Sequence, residues 1–237
     1  ITNMGAELGA TTSVFPSDDV TKAFLAAQGR EADWQELSAD EGAEYDRIID
    51  IDLTDVKPLL ACPHSPDNVK EAAALSDIPV TQVCIGSCTN SSLADMLRVA
   101  AILKGKKIKD TVSLSISPGS KQVLTMLARN GALADMIAAG ARILESACGP
   151  CIGMGQAPKS NAISVRTNNR NFFGRSGTKS AGIYLVSCET AAMTALTGYL
   201  ADPRQTDADL NVDMPDLFDY CDNLIIPPAA AEEAADV

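Results

Sequence analysis

The chain has 237 residues, 46% hydrophobic and 21% charged, which excludes a disordered tail, a collagen repeat or a coiled coil and leaves room for one large or two small globular domains. With 31 acidic and 19 basic residues its net charge is −12, which argues against nucleic acid or an anionic membrane as partner, so any anionic ligand needs a local concentration of positive charge. There is no apolar run long enough to span a bilayer, and the first twenty residues lack the basic and apolar regions of a signal peptide, so the chain reads as cytoplasmic.

In chain order, Asp18–Ala27 is predicted as a helix, with Val20, Ala23, Phe24 and Ala27 on one face and Gly29 as its stop. Arg47–Leu53 (RIIDIDL) reads as a strand, and residues 1–57 as part of an α/β subdomain truncated at its N-terminal side. Residues 58–79, with prolines at 58, 63, 66 and 79 and a short alanine-rich helix near Val69–Leu75, read as a linker. From Val80 to Pro203 strands alternate with amphipathic helices: strands at Val80–Ile85, Thr111–Ser117, Ala141–Glu145, Ala162–Val165 and Ile183–Val186, and helices at Ser92–Leu103 and Gln122–Arg129. A capping box from Ser92 to Asp95 opens the first of these helices, and Gly131 closes the second. The pattern implies an α/β fold, three-layer α/β/α with largely parallel sheets, over residues 80–203. Residues 204–237 read as an acidic, frayed tail.

His64 is the only histidine, so a site built from several imidazoles is impossible within this chain. Seven cysteines in a chain this large point to reduced thiols, metal ligation or redox chemistry rather than disulfide staples. Three features fall just after predicted strands. Gly86-Ser87-Cys88-Thr89-Asn90-Ser91-Ser92 is a polar turn that places the Cys88 thiol near free helix amides. Ala147-Cys148-Gly149-Pro150-Cys151 is a CxxC pair, which suits a redox disulfide, half of a zinc site or two ligands of an iron–sulfur cluster. Gly153 and Gly155 disfavour the helix a thioredoxin-like dithiol needs, and no second CxxC completes a zinc site. Three thiolates, two local and one from Cys88, suit a four-iron cluster with one iron open. Thr167–Gly177 (TNNRNFFGRSG) presents Arg170 and Arg175 as a carboxylate clamp or, more blandly, as surface arginines of a solvated loop. Asn3 and Glu7 share one helical face at the start of the chain.

Together, NMGAELGATTSVFP at 3–16, IGSCTNSS at 85–92, ACGPCIGM at 147–154 and TNNRNFFGRSG at 167–177 resemble the aconitase family of hydro-lyases. The resemblance implies that family's iron–sulfur domain, with a 4Fe-4S cluster on Cys88, Cys148 and Cys151. It also implies carboxylate binding by Arg170 and Arg175 with Asn169 beside them, and Asn3 and Glu7 hydrogen-bonding near the open iron. The implied activity is aconitate hydratase-like, interconverting citrate and isocitrate in the tricarboxylic acid cycle. The alternative is 3-isopropylmalate or homoaconitate dehydration. An N-terminal region and a C-terminal swivelling domain of the family have no counterpart here, so the chain is expected to be a central fragment, inactive by itself, whose partners are those missing parts and a small tri- or dicarboxylate. An RNA-binding regulator is disfavoured by the charge, and a CGPC thiol oxidoreductase by the glycines. Cys62, Cys84, Cys188 and Cys221 are expected to be structural thiols, His64 a linker residue and Met154 a packing residue.

Overall fold

The computed structural model of the chain describes residues 1–219 together with 226 and 229. Its N-terminal segment holds one helical turn, α1 (Thr2–Gly5), and helix α2 (Asp19–Ala27), capped by the Asp18 carboxylate, which accepts from the amides of Val20 and Thr21. Two short strands follow, β1 (Leu59–Ala61) and β2 (Val69–Glu71). The chain then alternates through β3 (Gln82–Ile85), α3 (Leu93–Leu103), β4 (Ser113–Ile116), α4 (Lys121–Asn130), α5 (Ala132–Ala138), β5 (Arg142–Ile143), β6 (Ile163–Arg166), β7 (Gly182–Leu185) and α6 (Cys188–Thr197). The capping box forms at α3: the Asp95 amide donates to Ser92 Oγ while the Asp95 carboxylate accepts from the Ser92 amide.

The strands make one sheet in the order β2-β1-β7-β6-β3-β4-β5. The five from β7 to β5 are parallel, and β1 runs antiparallel to both β7 and β2. The fold is therefore α/β with a largely parallel sheet, as expected. Alternation along the strands sends Val83, Ile85, Leu114, Ile116 and Val165 to one face, where they pack under α3–α6 with Met96, Val99, Leu103, Leu127 and Met136. The opposite face carries buried polar groups: Gln82, Ser115, Ser164 and Arg166. What covers that second face is chiefly the loop containing the CxxC pair, whose Pro150 and Gln156 carbonyls accept from the Arg166 guanidinium.

Several elements differ from the sequence reading. Arg47–Leu53 is not a strand; Ile48, Ile49 and Ile51 are 62–73% exposed, because the described residues offer this alternating stretch no neighbouring strand. The segment expected as a linker instead adds β1 and β2 to the sheet, on the edge where strands tolerate nearby prolines. Val69–Leu75 is accordingly split between β2 and a 3-10 turn, Ala72–Leu75, and is no helix. Helix α6 escaped notice because it is buried nearly all round by small residues and so shows no amphipathic period. The acidic tail is packed as far as Asp219: Asp207 pairs with Lys106, Asp219 with Arg129, and the Phe218 amide donates to the Ala27 carbonyl at 2.7 Å. The rest of the tail, Cys221 included, lies outside the described residues.

Gly86 ends β3 at φ +84°, where an added Cβ would sit 2.0 Å from the Ser117 carbonyl oxygen. Gly86→Ala is expected to destabilise the protein by roughly 3 kcal/mol or more, since two backbones would have to separate. Ser92→Ala, which removes the α3 cap, should cost about 1 kcal/mol. Urea unfolding of the two variants beside the parent checks both values and their order.

Candidate functional site

The carboxyl ends of parallel strands are where open α/β sheets gather ligands. Here β3, β5 and β6 end in the loops that carry the three motifs. The pairing of β3 with β6, Cys84 opposite Arg166, makes the Gly86–Ser92 and Thr167–Gly177 loops emerge level. They are then tied together: the Gly86 amide donates to Thr167 Oγ1 at 2.8 Å, Asn90 Nδ2 donates to the Thr167 carbonyl at 2.6 Å, and Thr89 Oγ1 donates to Asn169 Oδ1 at 3.0 Å. The CxxC loop joins through Gly153, whose φ of +86° and 2.2 Å virtual Cβ distance to the Ser176 carbonyl oxygen admit only glycine. Asn171, fully buried, fastens the clamp loop from below by donating to the Cys62 and Ile183 carbonyls.

These loops enclose a cavity of about 130 Å³ lined by Ser87, Cys88, Thr89, Cys148, Cys151, Asn168, Asn169, Arg170 and Arg175. All three candidate thiols and both candidate arginines therefore face one space. Asn3 and Glu7 close over it from α1 and the turn that follows: Asn3 and Asn169 exchange reciprocal amide hydrogen bonds at 3.0 and 3.1 Å, and Arg170 Nε donates to Glu7 Oε1 at 2.6 Å. That contact holds the Arg170 guanidinium more firmly protonated. A larger apolar groove of about 550 Å³ adjoins at Cys88, with Phe24, Val123, Met214 and Phe218 among its walls, but the chemically active groups are in the smaller cavity.

Three thiols lining one cavity are a donor set of the kind an iron–sulfur cluster would use. Among the described residues no three His, Cys, Asp or Glu side chains gather closely enough around one point to hold a lone metal. Thiols that each take a different iron need only ring a common space, and an all-thiolate set is the usual holder of such clusters. The cavity also holds donors without partners. Asn168 is 7% exposed and its Nδ2 is unpaired, as is Arg175 Nε. Unsatisfied donors around three thiols suit an anionic occupant. Burial, reinforced by the neighbouring Cys148 and Cys88, pushes the Cys151 thiol up to about 11.

The remaining thiols Cys62, Cys84 and Cys188 are buried away from this cavity, whereas Met154 is 66% exposed and does not pack as expected. His64 rests edge-on against Phe173, with ring centres 5.3 Å apart. Sequence reasoning passed over Asn168, Asn171 and Arg166. The first two were legible only as members of an asparagine-rich loop, and Arg166 looked like the charged end of a strand.

The profile of the aconitase family (aconitate hydratase) matches residues 1–74 and 68–198. Among curated proteins, the 3-isopropylmalate dehydratase large subunit 2 of Archaeoglobus fulgidus is 42% identical over 86% of this chain and 50% of its own length. The corresponding large subunits of Elusimicrobium minutum and Thermotoga maritima are each 40% identical, over 86% of this chain and 49% and 50% of their lengths. The chain thus spans about half the length of the curated relatives it matches.

In cluster-free protein the raised Cys151 pKa leaves only about one thiol in a thousand ionised at pH 8, and the thiolate is the reactive form. Alkylation of Cys151 by iodoacetamide should therefore quicken about tenfold per pH unit until it levels near pH 11. Site-resolved mass spectrometry across pH 7–11, taken as roughly the usual thiol range, checks this profile.

Proposed function

The chain belongs to the aconitase family, and from that membership we propose that it is the cluster-bearing portion of a hydro-lyase that dehydrates 3-isopropylmalate. The observation that carries this reading is the single cavity in which Cys88, Cys148 and Cys151, from two separate loops, face Arg170 and Arg175. The relatives support the isopropylmalate reading over the aconitate hydratase-like one. With it, a place in the tricarboxylic acid cycle loses its support. Because those relatives are large subunits, the parts expected as a missing region and a swivelling domain are proposed to include a separate small subunit.

Cys88, Cys148 and Cys151 would hold a 4Fe-4S cluster, which would supply Lewis acidity for loss of the substrate hydroxyl. Around it the chain's own residues bind and orient. Arg175, with a free Nε at the cavity wall, presents a planar fork to a substrate carboxylate. Its guanidinium lies 5.4 Å from the Phe172 ring, which holds the fork in place. Arg170 is aimed by Glu7, and its remaining N–H groups are left for the second carboxylate. The reciprocal Asn3–Asn169 pair keeps α1 seated over the loop so that Glu7 stays within reach. The clamp loop from Thr167 to Lys179 carries three basic and no acidic residues, which is how a chain of net charge −12 attracts a dianion.

Anaerobic reconstitution with ferrous iron and sulfide should give visible charge-transfer absorption and about four irons per chain; failure to take up iron would overturn the cluster assignment. The full protein with its small subunit should dehydrate 3-isopropylmalate in preference to citrate, and the opposite preference would overturn the substrate assignment. The isolated chain should dehydrate neither, because parts that act as a catalytic unit do not work in proportion when some are absent. In the full protein Arg175→Lys keeps the charge but loses the fork, and kcat/KM should fall by the equivalent of about 2–4 kcal/mol.

A further inference from the structure

Arg166 is fully buried on the second face of the sheet, beneath the CxxC loop. Its guanidinium makes four hydrogen bonds: Nη1 to the Pro150 carbonyl at 2.5 Å, Nη2 to the Gln156 carbonyl at 2.6 Å and to Gln82 Oε1 at 2.9 Å, and Nε to Ser164 Oγ at 3.1 Å. Every partner is neutral, and among the described residues no carboxylate pairs with it. A buried cation of this kind is costly unless a negative charge compensates it. Its Nη1 bonds the carbonyl of Pro150, the residue before Cys151, so the charge is held against the backbone of the CxxC pair. Two of its acceptors bracket the loop, since Pro150 lies between Cys148 and Cys151 and Gln156 closes the turn beyond them.

We infer that Arg166 is the built-in counter-ion of the anionic group held by Cys88, Cys148 and Cys151, and that the same guanidinium bolts the CxxC loop to the sheet. This inference rests on the cluster assignment above and adds a positioning residue outside the cavity, one that touches neither substrate nor reacting atoms. The charge lowers the energy of each electron added to the group in front of it. The bonds to the Pro150 and Gln156 carbonyls, anchored by those to Gln82 and Ser164, hold the loop of two of the three thiols in place before that group arrives.

Three variants separate the two roles. Arg166→Met removes both charge and bonds, Arg166→Lys keeps the charge but not the fork, and Gln82→Glu keeps the guanidinium while placing a carboxylate against it. In the cluster-reconstituted protein, redox titration should give a lower reduction potential for Arg166→Met and for Gln82→Glu, with Arg166→Lys close to the parent. In the cluster-free protein, amide hydrogen exchange over residues 151–157 should be at least tenfold faster in Arg166→Met and Arg166→Lys. Circular dichroism confirms that each variant is folded; should Arg166→Met not fold, Gln82→Glu carries the electrostatic arm and Arg166→Lys the anchoring arm. Unchanged potentials in the charge-altering variants would overturn the counter-ion role, and unchanged exchange would overturn the bolt. If the parent itself binds no cluster, the fault lies with the cluster assignment, and the exchange measurement still decides the anchoring role.

Discussion

The level, parallel pairing of β3 with β6 is the constraint on which the rest of the site depends. Because both strands stop together, the loops after them start at the same height and can be laced by the Gly86–Thr167, Asn90–Thr167 and Thr89–Asn169 contacts. A parallel sheet of this kind buries both faces of its central strands, and QVCI in β3 is buried at all four positions. One face takes the helices and their apolar core. The other carries Gln82, Ser164 and Arg166, and the CxxC loop settles on it because Gln82 and Arg166 donate hydrogen bonds to its backbone carbonyls. The placement of two thiols is thus a consequence of strand alternation in β3 and β6.

Electrostatics are arranged locally against a contrary background. The chain is strongly acidic, yet its clamp loop is basic and, among the described residues, the only carboxylate drawn into that loop's hydrogen bonds is Glu7, spent on aiming Arg170. The cavity thereby keeps Arg175 Nε unpaired for a ligand, while Arg166 is buried beneath the CxxC loop as a further cation. Burial holds Cys151 protonated in the absence of an occupant, so occupation must release a proton and is favoured as pH rises.

Strands and helices with a clear period were legible from the sequence: TVSLSIS became β4 in parallel pairing, and the Ser92–Asp95 cap appears as read. That the loops carrying Cys88, Cys148 and Cys151 line one cavity follows from each motif coming directly after a strand, since parallel strands gather their carboxyl ends. What failed did so for identifiable reasons. RIIDIDL alternates like a strand, but alternation requires a neighbour, and among the described residues it has none. Short β1 and β2 carry too few residues to show a period between prolines, and α6 is buried on nearly every side. Arg166 could not be recognised as buried because two of its four partners are backbone carbonyls of a loop ten to sixteen residues upstream, about which side-chain patterns are silent.

The most direct test of the central claim, that three cysteines hold four irons and leave one without a protein thiolate, is Mössbauer spectroscopy of the anaerobically reconstituted protein labelled with an enriched iron isotope. The expected spectrum has one iron distinct from the other three, and that component alone shifts when 3-isopropylmalate is added to the full protein. Four equivalent irons unaffected by the dicarboxylate, or a single iron per chain, would contradict it.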